Sequence, residues 1–292
     1  PSNARDLALA GSNLADGSEG YFQFSNPAQL SQIKNLDISS SLMLLPLDRN
    51  IQSISISKPL PPSAGIALSM YRSATNDIEG RNYMNQFTEN LSVSNYMFML
   101  SFALAPSERL SLGINIKSYF IDFIDSQSGN GIGFDFGVRL KPLKNAIFAM
   151  KLENILTGIN WKIKVDNKPR PSFEKVPLNL GLGFVYRLKK IKLNYQQNII
   201  FTPNGKNLFR NRIGLDYALG PLTLQLGSYQ NRGEYINEKR TGINYVPTGG
   251  FGFYINNRWN VPMEINYAFD SGRSGEGFGH MFTINFRFYE VF

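Results

Sequence analysis

The sequence predicts an all-β chain: a transmembrane antiparallel β-barrel of about fourteen strands over residues 36–292, preceded by a hatch or plug segment, residues 1–35, folded into the lumen. Three observations predict it. After position 35 the apolar residues recur at every second position, in segments of roughly 9 to 11 residues, the length a tilted strand needs to cross a bilayer. The intervening face is rich in Gly, Asn and Ser, where the solvated face of a soluble sheet is dense in Lys, Glu and Thr. Connections alternate between short and long.

Composition narrows the chemistry. The 292 residues include one His and no Cys, which excludes disulfides, thiolate metal sites and a cysteine nucleophile. Mean hydropathy is −0.21 and the apolar runs are as short as Tyr96–Leu100 and Ala146–Met150, against roughly 18 residues for a spanning helix. The net charge of +8 is scattered, with pairs only at Lys189-Lys190 and Lys239-Arg240, so no basic face for nucleic acid is expected. No cofactor is expected, and the absence of cysteine suits a bacterial envelope.

In order along the chain, strands are expected near 36–46, 51–58, 63–73, 92–104, 109–121, 131–140, 145–152, 176–186, 190–199, 207–217, 221–229, 248–257, 262–269 and 279–292. The alternation is cleanest where Ile132, Phe134, Phe136, Val138 and Leu140 alternate with Gly133, Asp135, Gly137 and Arg139, and where Phe282, Ile284, Phe286 and Phe288 alternate with Thr283, Asn285 and Arg287. Short connections carry turn residues such as Pro61-Pro62, Pro106-Ser107, Lys141-Pro142 and Gly220, whereas 74–91, 153–175 and 230–247 read as long polar loops. With short turns in the periplasm and long loops outside, both termini are expected in the periplasm of a Gram-negative bacterium, whose outer membrane and lipopolysaccharide surround the barrel. Residues 1–35 break the period. Their apolar stretch Leu7–Leu14 and the aromatics Phe22 and Phe24 call for burial, which the lumen supplies.

The opening Ala4-Arg5-Asp6-Leu7-Ala8-Leu9-Ala10-Gly11, followed by Phe22-Gln23-Phe24-Ser25-Asn26-Pro27-Ala28-Gln29-Leu30, resembles the start of the PorV/PorQ family of type IX secretion barrels, within the FadL-like superfamily. Glu264-Ile265-Asn266-Tyr267-Ala268-Phe269 and His280-Met281-Phe282-Thr283-Ile284-Asn285-Phe286-Arg287-Phe288 are similar to its close. The resemblance implies fourteen strands and an N-terminal hatch in which Asn26, Pro27 and Ala28 shape the lumen. This chain lacks one Gly of the family's usual pair after Leu9-Ala10 and extends past the expected end as Tyr289-Glu290-Val291-Phe292. Phe292 suits the aromatic C-terminal signal of barrel assembly.

Catalysis is not expected. His280 has the parity of Phe282 and so faces outward near the rim; a Ser–His–Asp site would rest on it alone. Gly129–Gly133 leads into a strand rather than a phosphate-binding helix, and Asp122, Asp125 and Asp135 lack the spacing of a calcium loop. Inward parity is assigned to Lys117, Asp135, Arg139, Lys151, Arg187, Lys192, Arg212, Asp216, Glu264 and Arg287. They would line an anion-preferring path or, as the cost of a dry unpaired charge favours, pair with one another and with the plug. The loop aromatics Tyr83, Phe87, Trp161, Phe173, Tyr235 and Tyr245 suggest either docking of other outer-membrane or secreted proteins or a lid. The polar inward faces favour a partner-binding barrel of a secretion or surface-attachment assembly. The alternative is a FadL-like channel for hydrophobic small molecules, whose hatch moves and whose wall releases ligand sideways.

Overall fold

The computed structural model describes the whole chain except residues 125–126, 166–167, 203–204, 206, 233–234, 237–238, 241–242, 256–260, 273–276 and 289–292. Among the described residues seventeen strands follow an N-terminal stretch that contains two short helices, α1 (Ala4–Ala8) and α2 (Phe22–Ser25), and a 3₁₀ turn, Pro27–Gln32. The strands are β1 (Leu36–Leu45), β2 (Arg49–Leu60), β3 (Ala64–Arg81), β4 (Phe87–Ser107), β5 (Leu110–Asp122), β6 (Ser128–Leu140) and β7 (Ala146–Val165). Then come β8 (Lys168–Lys175), β9 (Leu178–Leu188), β10 (Ile191–Phe201), β11 (Leu208–Leu219) and β12 (Leu222–Arg232). The last are β13 (Tyr235–Ile236), β14 (Lys239–Arg240), β15 (Ile243–Ile255), β16 (Met263–Asp270) and β17 (Gly279–Phe288).

All but β8, β13 and β14 form one closed antiparallel barrel of fourteen strands. The seam joins the two ends of the chain, with Leu36 opposite Phe288 and Leu44 opposite His280. Closure leaves no open edge in the wall, which is what a sheet surrounded by lipid requires.

The period of two becomes two chemically distinct surfaces. Phe134, Leu182, Ile265 and Phe282 point out and are 39 to 48% exposed, while Asp135, Gly183, Asn266 and Thr283 beside them are buried. A water-soluble monomer rarely leaves so extended an apolar band uncovered, so the outer face is built for lipid. Phe136, Leu180, Ile284 and Phe286 lie on the same outer face, half-exposed.

The expected long loops are corrected. Residues 74–91 continue β3 to Arg81 and start β4 at Phe87, leaving a turn in which the Asn82 side chain accepts hydrogen bonds from the amides of Met84 and Gln86 at 2.9 and 3.0 Å. Residues 153–175 continue β7 to Val165 and return as β8, and 230–247 continue β12 and β15 around the β13–β14 hairpin. Beyond the bilayer neither face of a hairpin needs to be apolar, so the period that marks strands in the wall disappears while the pairing persists. Pro171 fits β8 because that strand pairs only with β7 and has a free edge.

One stretch of wall is irregular. Ile132 pairs with Gly158, Phe134 with Ile155 and Phe136 with Leu152, so β7 carries extra residues at two successive bulges. Asn154 and Leu156 take the left-handed conformation there, at φ 63° and 51°, and Leu156 is 88% exposed.

Residues 1–33 pack against the inner faces. Leu7 and Ala8 join Met43, Ile51, Ala268 and Met281 in one buried cluster; Leu14 and Ala15 join Ile147, Ala149 and Val185; Phe22, Leu30 and Ile33 join Ala67 and Ala103. The backbone comes so near the wall that a Cβ on Gly113 would lie 2.4 Å from the Ala28 nitrogen, and one on Gly227 would lie 2.5 Å from the Leu9 carbonyl carbon. Only glycine fits at those two positions without the segment backing away.

This register makes opposite demands on adjacent residues. Leu182→Arg puts a charge into lipid and should cost about 2–4 kcal/mol at mid-bilayer, read from the denaturant midpoint in lipid vesicles. Gly183→Leu should leave that midpoint nearly unchanged but expose residues 1–33 to protease, because its Cβ would meet Leu14 at 2.8 Å. Equal behaviour of the two variants in both assays would overturn the facing of the wall.

Candidate functional site

The interior is organised by charges that the N-terminal segment and the wall bring together. Near the short turns, antiparallel pairing sets Arg187 beside Lys192 and Lys192 beside Asp216. Asp16 descends onto this row. Its carboxylate accepts hydrogen bonds from Arg187 and, at 2.8 Å, from Lys192, and it is 3.3 Å from the Arg5 guanidinium. Arg5 also reaches Asp216 at 2.8 Å. Burial alone would raise the Asp16 carboxyl, but Lys192, Arg5 and Arg187 more than offset it and hold it well below the usual carboxylate range. Burial would lower the Arg5 guanidinium, yet Asp216 and Asp16 leave it raised.

A second cluster sits on the far side of the segment. Lys117 contacts Asp135 at 2.6 Å; Lys151 contacts Glu153 at 2.6 Å and stands 3.9 Å from Asp135. Lys151 also donates to the Phe24 carbonyl at 2.7 Å, and Asn115 donates to Asp135 at 3.0 Å and to the Gln23 carbonyl at 3.1 Å. Arg287 binds Glu264 at 2.9 Å and Glu19, and Arg212 donates to the Gly11 carbonyl at 3.2 Å. Arg139 differs: it is buried but makes no hydrogen bond or ion pair among the described residues.

Asn26, Pro27 and Ala28 lie against β5, β6 and β7. The Asn26 amide nitrogen donates to the Val138 carbonyl at 3.1 Å, and its carbonyl oxygen caps the following turn by accepting from the Ala28 amide at 3.0 Å. Pro27 opens that turn, where its missing N–H is no loss. Phe22 is buried, and Phe24 is half-buried with its ring 6.5 Å from that of Tyr71.

Above the segment, on the side of the long hairpins, lies a cavity of about 590 Å³. Phe24, Tyr71, Met97, Met99, Tyr119 and Ile159 supply apolar wall; the Lys117–Asp135–Lys151–Glu153 cluster closes one end, and Asn154, at the bulges of β7, borders it. The expectation of mostly polar inward faces is qualified here by an apolar pocket. Each of these side chains is a single apolar residue on an otherwise polar face, and only the curvature of the wall gathers them. The signal was the inward parity of Met97, Met99, Tyr119 and Ile159.

Among the hairpin aromatics, Tyr83, Phe87, Phe173 and Tyr245 are 58 to 92% exposed. Trp161 is partly covered, its indole donating to Glu174 at 2.9 Å, with its ring edge-on to Phe123. The side chain of Tyr235, along with Asp125 and Phe292, lies outside the described residues. His280 faces outward, stacked on Tyr267 with its Nδ1 2.8 Å from the Tyr267 hydroxyl.

No family model matches the sequence, and no curated protein does. Solved structures do. The P. putida toluene transporter TodX superposes with a TM-score of 0.66 at 10% identity, covering 99% of each chain. A Pseudomonas aeruginosa FadL homologue gives 0.66 at 11%, covering 99% of this chain and 98% of that one, and the Ralstonia pickettii toluene transporter TbuX gives 0.65 at 10%, covering 98% of each. The chain has the fold of the FadL-like channels. At such identity the likeness is one of architecture; the TodX and TbuX structures carry their transport role in their own names.

The Asp16 hub makes the packing of residues 1–33 pH-dependent in a defined direction. A carboxyl held low in the folded state stabilises it above the free value of about 3.9, and that contribution is lost as pH falls through the folded value. Protease protection of the segment should therefore be constant from neutral pH to about pH 5 and weaken below about pH 4. Asp16→Asn should be less protected at neutral pH and lose that acid dependence.

Proposed function

We propose that the protein is an outer-membrane channel for small molecules with an apolar body, with residues 1–33 as the hatch that closes it. The carrying observation is the cavity above the hatch, whose apolar wall from Phe24, Tyr71, Met99 and Ile159 abuts the irregular stretch of β7. A ligand entering between the hairpins meets apolar surface first and an already neutralised charge cluster at the end, so its desolvation is compensated without leaving carboxylates or ammonium groups bare. At the bulges of Asn154 and Leu156 the ladder is interrupted, and a route sideways through the wall needs fewer hydrogen bonds to open there than elsewhere. The FadL-like architecture supports this reading, in which the short turns and both described ends of the barrel face the periplasm.

A second reading, a PorV/PorQ-like component that binds secreted or outer-membrane proteins, draws on the sequence motifs and on the exposed Tyr83, Phe87, Phe173 and Tyr245. The two readings separate experimentally. Cells producing the protein should take up a radiolabelled monoaromatic hydrocarbon faster than cells lacking it, and Ser73→Trp, which fills the cavity, should reduce the gain about tenfold, equivalent to ~1.4 kcal/mol, with assembly unchanged. Uptake equal to that of cells lacking the protein, together with a co-purifying partner lost on shortening the β7–β8 hairpin, would favour the secretion reading.

A further inference from the structure

A second cavity, about 510 Å³, lies on the opposite side of the hatch and opens among the short turns at Lys141, Lys190 and Gly220. The uptake path proposed above does not use it. Its wall near Asp16 is cationic: Arg139, Lys141, Arg187, Lys190 and Lys192 line it. The carboxylates there are already engaged, Asp16 by Arg5, Arg187 and Lys192, and Asp216 by Arg5.

Arg139 is the outlier. It is 6% exposed, lines the cavity, and makes no hydrogen bond or ion pair with any described residue. Its cross-strand neighbours are Ser111 and Ala149, neither of them an anion. Asp16 attracts Arg139 without a hydrogen bond or ion pair and is already held by Arg5, Arg187 and Lys192, and the like charge of Arg187 opposes that attraction. Arg139 thus presents a guanidinium without a protein partner to a space that Arg187 also lines. Burying a fixed cation whose counter-charge is shared among three other cations is costly, and water satisfies its donors but not its charge. The planar fork of arginine fits an oxyanion best, which it grips with two parallel hydrogen bonds.

We infer that this cavity binds a small soluble oxyanion, a phosphate or carboxylate group, anchored by Arg139 and flanked by Arg187 and Lys141. The occupant is soluble because the cavity lies on the inner side of the wall and opens between turns, away from lipid. An oxyanion here relieves the repulsion between Arg139 and Arg187 as well as meeting the Arg139 donors, so binding is favoured twice by one ligand.

The test is equilibrium dialysis of radiolabelled inorganic phosphate against the purified full chain in a neutral detergent, with chloride holding ionic strength constant. The chain should show one saturable site. Arg139→Gln should weaken it at least tenfold, and Arg139→Lys should fall between, since it keeps the charge and loses the fork. Arg72→Gln, which removes a guanidinium held by Tyr96 and Ser94 far from this cavity, should bind as the parent does. Heat-modifiable migration reports that each barrel is assembled, and the lysine variant serves if the glutamine variant is not. Absence of saturable binding in the parent, or unchanged affinity in the assembled Arg139 variants, overturns the inference. Hydrocarbon uptake plays no part in this readout, so either result leaves the channel reading standing.

Discussion

The molecule depends on how closely a peptide backbone approaches the inside of a sheet. Gly113 and Gly227 let the chain at Ala28 and Leu9 lie against the wall at distances that any side chain would forbid. That contact decides what the rest of the lumen must be. Small inward residues such as Ala67, Ala103 and Ala268 extend the fit, and Leu7, Leu14 and Leu30 fill what remains. Close packing of this kind responds to single methylene changes, so the segment and the inner face form one jigsaw rather than a tail in a tube.

Polar groups in the interior follow the same logic. A barrel wall satisfies its own backbone, but the irregular backbone of residues 1–33 has donors and acceptors with no ladder to join. Wall side chains supply the partners: Thr248 donates to the Ala8 carbonyl at 2.9 Å, Thr283 accepts from the Ala4 amide at 2.7 Å, and Gln196 accepts from the Leu14 amide at 3.2 Å. The Asn, Gln, Ser and Thr of the inward faces are therefore a receptor surface for peptide, and their chemistry is explained before any solute is considered. The ion pairs add direction to this surface, because Asp16 and Arg5 meet charged partners fixed on the wall at Arg187, Lys192 and Asp216.

Much of this was legible in the sequence, for reasons that also explain what was not. The alternation through Ile132–Leu140 and Phe282–Phe288 reports the contrast between lipid and lumen, and it fixes strand, register and facing at once. It fades in Phe87–Leu91 and in β8, where both faces are wet, so those segments read as loops. The bulges at Asn154 and Leu156 escape the sequence because they fall in 153–175, which reads as a loop in which no strand period is expected to break. The apolar cavity was hidden for a different reason. Tyr71, Met99, Tyr119 and Ile159 come from four strands, and the curvature that brings them to one space is a property of the closed sheet, not of any strand read alone.

The seam between β1 and β17 has a consequence for the order in which the molecule is made. Its partners are the first and last barrel strands in the chain, Leu36 and Phe288 among them, so no barrel exists until nearly the whole polypeptide has been gathered. Residues 1–33 immediately precede the first of those strands and touch the last, as in the Ala4–Thr283 hydrogen bond. Contacts so distant in the chain form slowly, because the entropy of closing the intervening loop is lost before they are gained. Residues 1–33 thus tie the seam from inside, touching both the strand that opens the barrel, through Tyr21 and Ser41, and the strand that closes it.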